Sequence, residues 1–191
     1  PGSTFKILTA IAALRRGVIN PDDPIVDCDG TLRRFKHNFV CDNGHAHHHE
    51  ILLRQAIAVS CDLYFHEAGW RTNAEGLAEE ARRFGFGMKT GIELPAESRG
   101  LVPDEAWKKR AGRGNWVPGD TAHMAMGQGD VLVSPLQMAC FMASVARGEI
   151  TTTPTLIHQP NRGPQHSEPI GLTPEQRAAL IGGMEDCTHP P

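Results

Sequence analysis

The sequence predicts an α+β fold of which this stretch supplies mostly the helices. Three observations carry that prediction. Apolar-periodic segments recur, most of them opening on a capping residue or closing on glycine, while strand signals are scarce. The chain opens at Pro1 without a methionine and closes at Pro190-Pro191, so neither end reads as a domain edge. It is therefore expected to be an internal fragment, residues 1–191 of a longer domain whose strands lie outside both ends.

In chain order, the first helix starts at Ser3. Ile7, Leu8, Ile11, Ala12 and Leu14 follow at helical spacing, then Arg15, Arg16 and Gly17 as last-turn charges and a stop. Residues 18–50 hold Gly, Pro, Asp, Asn, His and Cys with little periodicity and read as an ordered loop or insert. Helices are expected over about Ile51–Val59 and Asp62–Gly69, and another capped by Asn73 carries Leu77, Ala81 and Phe84 to the stops Gly85 and Gly87. Residues 88–133 read mostly as loop, punctuated by Pro95, Pro103 and Pro118. Ser134 caps a helix with Pro135 in its first position and an apolar face of Met138, Phe141, Met142 and Val145, closed by Gly148. Ile150–His158 reads as one strand or hairpin arm. Thr173-Pro174-Glu175-Gln176 is a capping box that opens a last helix through Leu180, Ile181 and Met184.

The net charge of −3 argues against a nucleic-acid binder. The one basic cluster, Lys108, Lys109, Arg110 and Arg113, reads as a solvated loop beside Trp107 and Trp116. No apolar run approaches a membrane span, and no signal peptide is present. The five cysteines include no C-x-x-C pair and leave the redox compartment open.

Chemistry is concentrated at the start. Ser3 and Lys6 stand three apart at a helix N-terminus, and residues i and i+3 share a face, so the amine can lie beside the hydroxyl. A serine is a poor nucleophile until a base takes its proton, and a partly desolvated lysine can do that. The helix is apolar nearly all round, and a lysine on a buried helix needs a reason. Further on, Ser60-Cys61-Asp62 lies between two helices. Its hydroxyl and carboxylate are placed to hydrogen-bond Lys6 and relay a proton.

The order S-x-x-K then S-x-D resembles the penicillin-recognising serine enzymes. Pro1-Gly2-Ser3-Thr4-Phe5-Lys6 is similar to the P-G-S-T-x-K start of class B penicillin-binding proteins, and Ala58–Phe65 to their A-x-x-S-C-[ND]-x-Y-F segment. Phe84-Gly85-Phe86-Gly87 with Thr90–Pro95 resembles another of their stretches. Pro118-Gly119-Asp120-Thr121, Gly127-Gln128-Gly129 and Ser134–Ala139 resemble the P-G-D-T, G-Q-G and [ST]-P-L-Q-x-A signature of the PBP2 type. The resemblance implies the transpeptidase and serine β-lactamase-like fold, with residues 1–191 running from the S-x-x-K helix to just before the K-T-G strand. Lys89-Thr90-Gly91 imitates that third motif but follows Ser60 too closely, inside a glycine-rich turn.

The implied activity is a D,D-transpeptidase that cross-links peptidoglycan stem peptides during cell elongation. Ser3 would attack the carbonyl before a terminal D-alanine, with Lys6 as base. Ser60 would shuttle a proton to the leaving group, and Asp62, where most relatives carry Asn, would orient Lys6 and contact substrate. The implied oxyanion donors are the Ser3 N–H and one from the strand beyond the fragment. β-Lactam antibiotics would acylate Ser3. The implied partner is a RodA-like membrane glycosyltransferase, at the periplasmic face of the bacterial inner membrane. The fragment alone is expected to be inactive. A β-lactam sensor or β-lactamase-type hydrolase shares S-x-x-K, and a zinc-stabilised structural module without catalysis is the remaining reading.

Asp27, Cys28, Cys41, Asp42, His45, His47, His48, His49 and Cys61 crowd one stretch, and zinc takes about four such ligands. Some PBP2-type enzymes hold zinc with two aspartates, a histidine and a cysteine, which places the ligands here at Asp27, Asp42, His48 and Cys61. Cys28 and Cys41 are the alternates, giving a three-cysteine, one-histidine site. A surface histidine run and a Cys28–Cys41 disulfide are the competing readings.

Overall fold

The computed structural model describes residues 1–41, 47–157 and 166–188. A 3₁₀ turn, Gly2–Phe5, runs directly into helix α1, Lys6–Arg15, and every residue from Lys6 to Leu14 is buried. A helix with nine of its ten residues buried is the centre of the fold, not its surface. Phe5, Leu8, Ile11 and Leu14 point into the core, each stabilising by roughly 2 kcal/mol through apolar area removed from water.

Helix α3, Asp62–Arg83, lies against α1 on one side and against α5, Pro118–Ala125, on the other. The close approach to α5 needs a glycine, because a Cβ on Gly69 would fall 2.4 Å from the Ala125 Cβ. At the same residue, the Thr9 hydroxyl donates to the Ala125 carbonyl at 2.8 Å, tying α1 to the end of α5. Glu80, 4% exposed, is held by Arg15 of α1 and by Arg83 at 3.0 Å, so this buried carboxylate is fully paired. Helix α2, Leu53–Ala58, packs on α7, Pro174–Asp186.

Residues 18–50 differ from the expected irregular insert. Strand β1, Asp27–Asp29, pairs antiparallel with β4, His47–Glu50, and β2, Thr31–Arg34, with β3, His37–Val40. The β2–β3 turn places Phe35 and Lys36 at φ of 50° and 63°, the two successive positive values of a type I′ hairpin. Asn73 caps as expected, its side chain accepting the Gly76 N–H at 3.0 Å, and its non-helical φ of 66° and ψ of 168° kink α3 at that point, so the expected change of helix falls at Asn73 and not at Gly69.

Two short helices interrupt the expected loop of 88–133: α4, Glu105–Arg110, capped by Asp104, and α5, which has Pro118 in its first turn. The basic cluster sits mostly on α4 and not in a loop; Lys108 pairs with Asp120, and Arg113 with Asp130. Helix α6, Pro135–Arg147, starts at the expected Ser134 cap, to which Gln137 adds a reciprocal bond, and α7 carries the reciprocal Thr173–Gln176 bonds that the sequence predicts. Over 150–157 no strand forms among the described residues, only a bridge between Glu149 and Pro169, and His158 lies outside them. Lys89-Thr90-Gly91 is a turn closed by Glu97, whose carboxylate accepts the Thr90 and Gly91 N–H groups at 2.6 and 3.2 Å. Among the described residues, no helix is long and apolar enough to cross a membrane.

Asn73→Ala removes a cap and leaves an alanine in the left-handed region, a loss of about 2 kcal/mol, whereas Asn73→Gly is expected to lose only a few tenths. Urea denaturation of the two variants beside the parent measures both values.

Candidate active site

Helix α2 ends in a full Schellman motif. The Cys61 N–H bonds back to the Ala56 carbonyl at 2.9 Å and the Ser60 N–H to Ile57 at 3.1 Å, with Ser60 at φ of 54°. That position ordinarily belongs to glycine, and a serine there costs on the order of 1 kcal/mol. Such strain persists where the side chain is needed. The next residue but one, Asp62, opens α3, where a carboxylate is favoured by the helix field.

Lys6, 3% exposed, reaches both residues from the first turn of α1. Its Nζ donates to the Ser60 carbonyl at 2.8 Å, the Ser60 hydroxyl at 2.8 Å and Asp62 Oδ1 at 2.6 Å, and it lies 5.6 Å from the centroid of Phe65. Three acceptors match the three donors of an ammonium. No hydrogen bond runs from Lys6 to Ser3, so the juxtaposition of amine and hydroxyl expected from sequence takes a looser form. Ser3 is exposed and lines, with Lys6 and Ser60, one groove of about 290 Å³.

Thr4, Ile7, Ile57, Phe65, Met142, Met184 and Cys187 complete that groove. None of these seven is singled out from sequence as a site residue. Met142 and Met184 lie on apolar helix faces and give no signal beyond packing. Cys187 is exposed, its thiol bonded to the Ile57 and Gly183 carbonyls at 3.3 Å. Behind the site, His66 is buried with Nδ1 unpartnered. Burial pushes its pKa down to about 4; Asp62 and the Ala122 backbone pull it up, and Lys6 and His123 push it down.

The histidine and cysteine stretch resolves differently from the first-choice ligand set. Cys28, Cys41, His48 and Cys61 bring their donor atoms within 4.8 Å of one another. His48 Nδ1 lies 3.5 Å from Cys28 Sγ and 3.7 Å from Cys41 Sγ, and Cys41 and Cys61 are 3.9 Å apart at sulfur. Asp27 is not in the cluster. Strand alternation turns Cys28 inward and its neighbours Asp27 and Asp29 outward, and Asp27 faces His49 at 3.8 Å instead. Asp42 lies outside the described residues. Cys28 and Cys41 form no disulfide. Burial raises the Cys41 and Cys61 pKa values. The Asp62 backbone N–H donates to Cys41 Sγ at 3.2 Å, so the cluster and the Lys6 site share a residue.

A helix-borne hydroxyl and a buried lysine, with a second serine and a carboxylate at the next helix junction, define the class of penicillin-recognising folds. The model of the penicillin binding protein transpeptidase domain matches residues 1–176, and the chain belongs to that family, as a member of the PBP2 type. The peptidoglycan D,D-transpeptidase MrdA of Acinetobacter baumannii is 34% identical over 151 residues, 76% of this chain and 22% of that protein. Its Haemophilus influenzae counterpart is 32% identical over 162 residues, 82% of this chain and 24% of that protein. The chain thus spans about a quarter of the length of these curated relatives.

Pseudomonas aeruginosa PBP2 in complex with WCK 5153 superposes with a TM-score of 0.85 at 29% identity, covering 99% of this chain and 44% of that one. PBP2 in complex with MreC from Helicobacter pylori gives 0.85 at 32% identity, covering 100% of this chain and 35% of that one. A chain from a peptidoglycan synthase complex, described as coordinating polymerization and crosslinking, gives 0.77 at 28%, covering 100% of this chain and 32% of that one.

Two outcomes are expected. Ser60→Gly is more stable than Ser60→Ala by about 1 kcal/mol, since both lose the hydroxyl and only glycine relieves the backbone; denaturant midpoints measure the difference. His66 has a folded pKa below its unfolded value near 6.5, so the unfolded chain binds more protons between the two. Its contribution is present above about pH 6.5 and is lost as pH falls towards 4, on the order of 3 kcal/mol in all. His66→Phe flattens that slope in stability measured against pH.

Proposed function

We propose that the chain carries the acylation machinery of a peptidoglycan D,D-transpeptidase with Ser3 as nucleophile. The observation that supports this best is Lys6, buried and bonded to both Ser60 and Asp62, in one groove with the Ser3 hydroxyl. In its amine form Lys6 takes the Ser3 proton as Oγ bonds to the carbonyl carbon of the penultimate D-alanine. The new Lys6 ammonium is held by Asp62 and donates to Ser60 Oγ, whose own proton passes to the amine of the departing D-alanine as the C–N bond breaks. An amine from a second stem peptide then releases the acyl group through the same groups in reverse.

Asp62 orients the Lys6 nitrogen, and the Ser3 N–H is one oxyanion donor. The apolar wall of Ile57, Met142 and Met184 excludes water, which favours an amine acceptor over hydrolysis. A β-lactam, whose strained amide imitates the peptide bond, acylates the same oxygen.

Cys28, Cys41, His48 and Cys61 are the residues that would hold a zinc ion. With sulfur about 2.3 Å and nitrogen about 2.0 Å from a tetrahedral zinc, donors sit about 3.5–3.8 Å apart, and the 3.5, 3.7 and 3.9 Å separations fit. When bound, the ion supplies a structural cross-link between the β1–β4 ribbon and the start of α3. Through Cys61 and the Asp62–Cys41 bond, the same residues fix the backbone that carries Ser60. The place of the enzyme, in this proposal, is cell elongation at the periplasmic face of the inner membrane. Its partners there are a RodA-like glycosyltransferase and, by likeness to the Helicobacter pylori complex, an MreC-type protein.

Fluorescent penicillin applied to the natural full-length protein tests the catalytic proposal. Stable labelling that Ser3→Ala abolishes, and that Lys6→Ala slows by roughly a hundredfold or more, is expected. Rapid release of the label, the behaviour of a hydrolase, or labelling that survives Ser3→Ala contradicts it. Metal analysis of the purified protein is expected to find about one equivalent of zinc, lost with a fall in melting temperature in Cys28→Ser, while less than about a tenth of an equivalent contradicts the metal proposal.

A further inference from the structure

The Gly127-Gln128-Gly129 segment takes no part in the proton path described above, yet it touches the nucleophile turn. Gly127 accepts the Gly2 N–H on its carbonyl at 2.9 Å, and its own N–H bonds back to Met124 at 2.9 Å. It lies at φ of 65°, and a Cβ built on it would stand 2.5 Å from both the Gly2 carbonyl oxygen and the Phe5 Cβ. Phe5 is fully buried against Phe86, so it cannot yield. The segment itself is anchored: Gln128 donates to the His123 carbonyl at 2.9 Å, and α5 is fixed to α1 through Thr9 and to α3 at Gly69.

A helix start leaves its first backbone N–H groups without intrahelical acceptors. Here the Gly127 carbonyl takes the one on Gly2. The next, on Ser3, has no hydrogen-bond partner among the described residues. The turn is thus held from one side by its first donor while its second is left for a ligand.

We infer that Gly127 is a positioning residue for acylation: with Gly2 it sets the direction of the Ser3 N–H and Oγ, and only a residue without a Cβ allows the approach. This rests on the reading of Ser3 as nucleophile. A displacement of the turn by about an ångström is enough to cost on the order of a hundredfold in rate. The loss falls on the covalent step, because Gly127 is not among the residues that line the groove.

The test compares acylation by a fluorescent penicillin in the natural full-length protein and four variants, separating the initial non-covalent affinity from the first-order acylation rate. Gly127→Ala is expected to lower the rate roughly ten- to hundredfold with the affinity little changed. Gly100→Ala is the control, since its Cβ would meet the Leu132 carbonyl oxygen at 2.2 Å, an equal clash remote from the turn. It is expected to lower the melting temperature but to acylate at the parental rate per folded molecule.

Should Gly127→Ala not accumulate as folded protein, Thr9→Val decides, because it removes one anchor of the same segment and is expected to slow acylation by a smaller factor. Parental acylation in Gly127→Ala, equal slowing in Gly100→Ala, or, where Thr9→Val decides, an unchanged rate in that variant overturns the inference. Labelling that persists in Ser3→Ala overturns instead the reading on which it rests.

Discussion

A buried amine with three oxygen acceptors is the constraint around which the rest of the chain is arranged. Lys6 is carried on a helix that has no solvent face, and a charge there is tolerable only if its donors are satisfied. The acceptors come from one short segment, Ser60 to Asp62, between two other helices. Joining them fixes three chain segments at one point: the start of α1, the end of α2 and the start of α3. The left-handed backbone of Ser60 follows from this demand. In a lower-cost glycine the α2 stop would survive, but the hydroxyl that faces Lys6 would be gone.

The same junction is reached from the other side by the cysteine and histidine cluster. Cys61 is simultaneously the residue between Ser60 and Asp62 and one of four converging donors, while Cys41 takes the Asp62 N–H. Whatever orders the β1–β4 ribbon therefore orders the acceptors of Lys6. On the opposite face, the α5–α6 connection holds Gly2, so the two halves of the site, the Ser3 turn and the Lys6 acceptors, are each braced by an element distant in sequence.

Much of the helical frame was legible because helix signals are local. Asn73, Ser134 and Thr173 act as the caps their positions imply, since a side-chain oxygen and an N–H three residues on decide the matter alone. The four strands were not legible. β1 pairs with β4 across the intervening β2–β3 hairpin, and each is only three or four residues long, too short for periodicity to show. The outward place of Asp27 was not legible for a related reason. The Asp-Cys-Asp run of 27–29 alternates in and out only once it is known to be a strand; then Cys28, not Asp27, must face inward. Ser3, Lys6, Ser60 and Asp62 could be read as one site because resemblance supplied the long-range pairing that local rules cannot. Gly127 carried a motif but no visible chemistry, because its role depends on a contact with the other end of the chain.

The most direct measurement is peptide-mapping mass spectrometry of the intact natural protein after brief exposure to benzylpenicillin. Besides the Lys6 amine, the groove offers four nucleophilic side chains, Ser3, Thr4, Ser60 and Cys187. If Lys6 activates the oxygen one helical turn before it, the penicilloyl mass appears on the peptide containing Ser3, fragmentation places it on Ser3 and not on Thr4, and no other peptide carries it. An adduct on Ser60 or Cys187, or none on any peptide of a folded protein, contradicts the account.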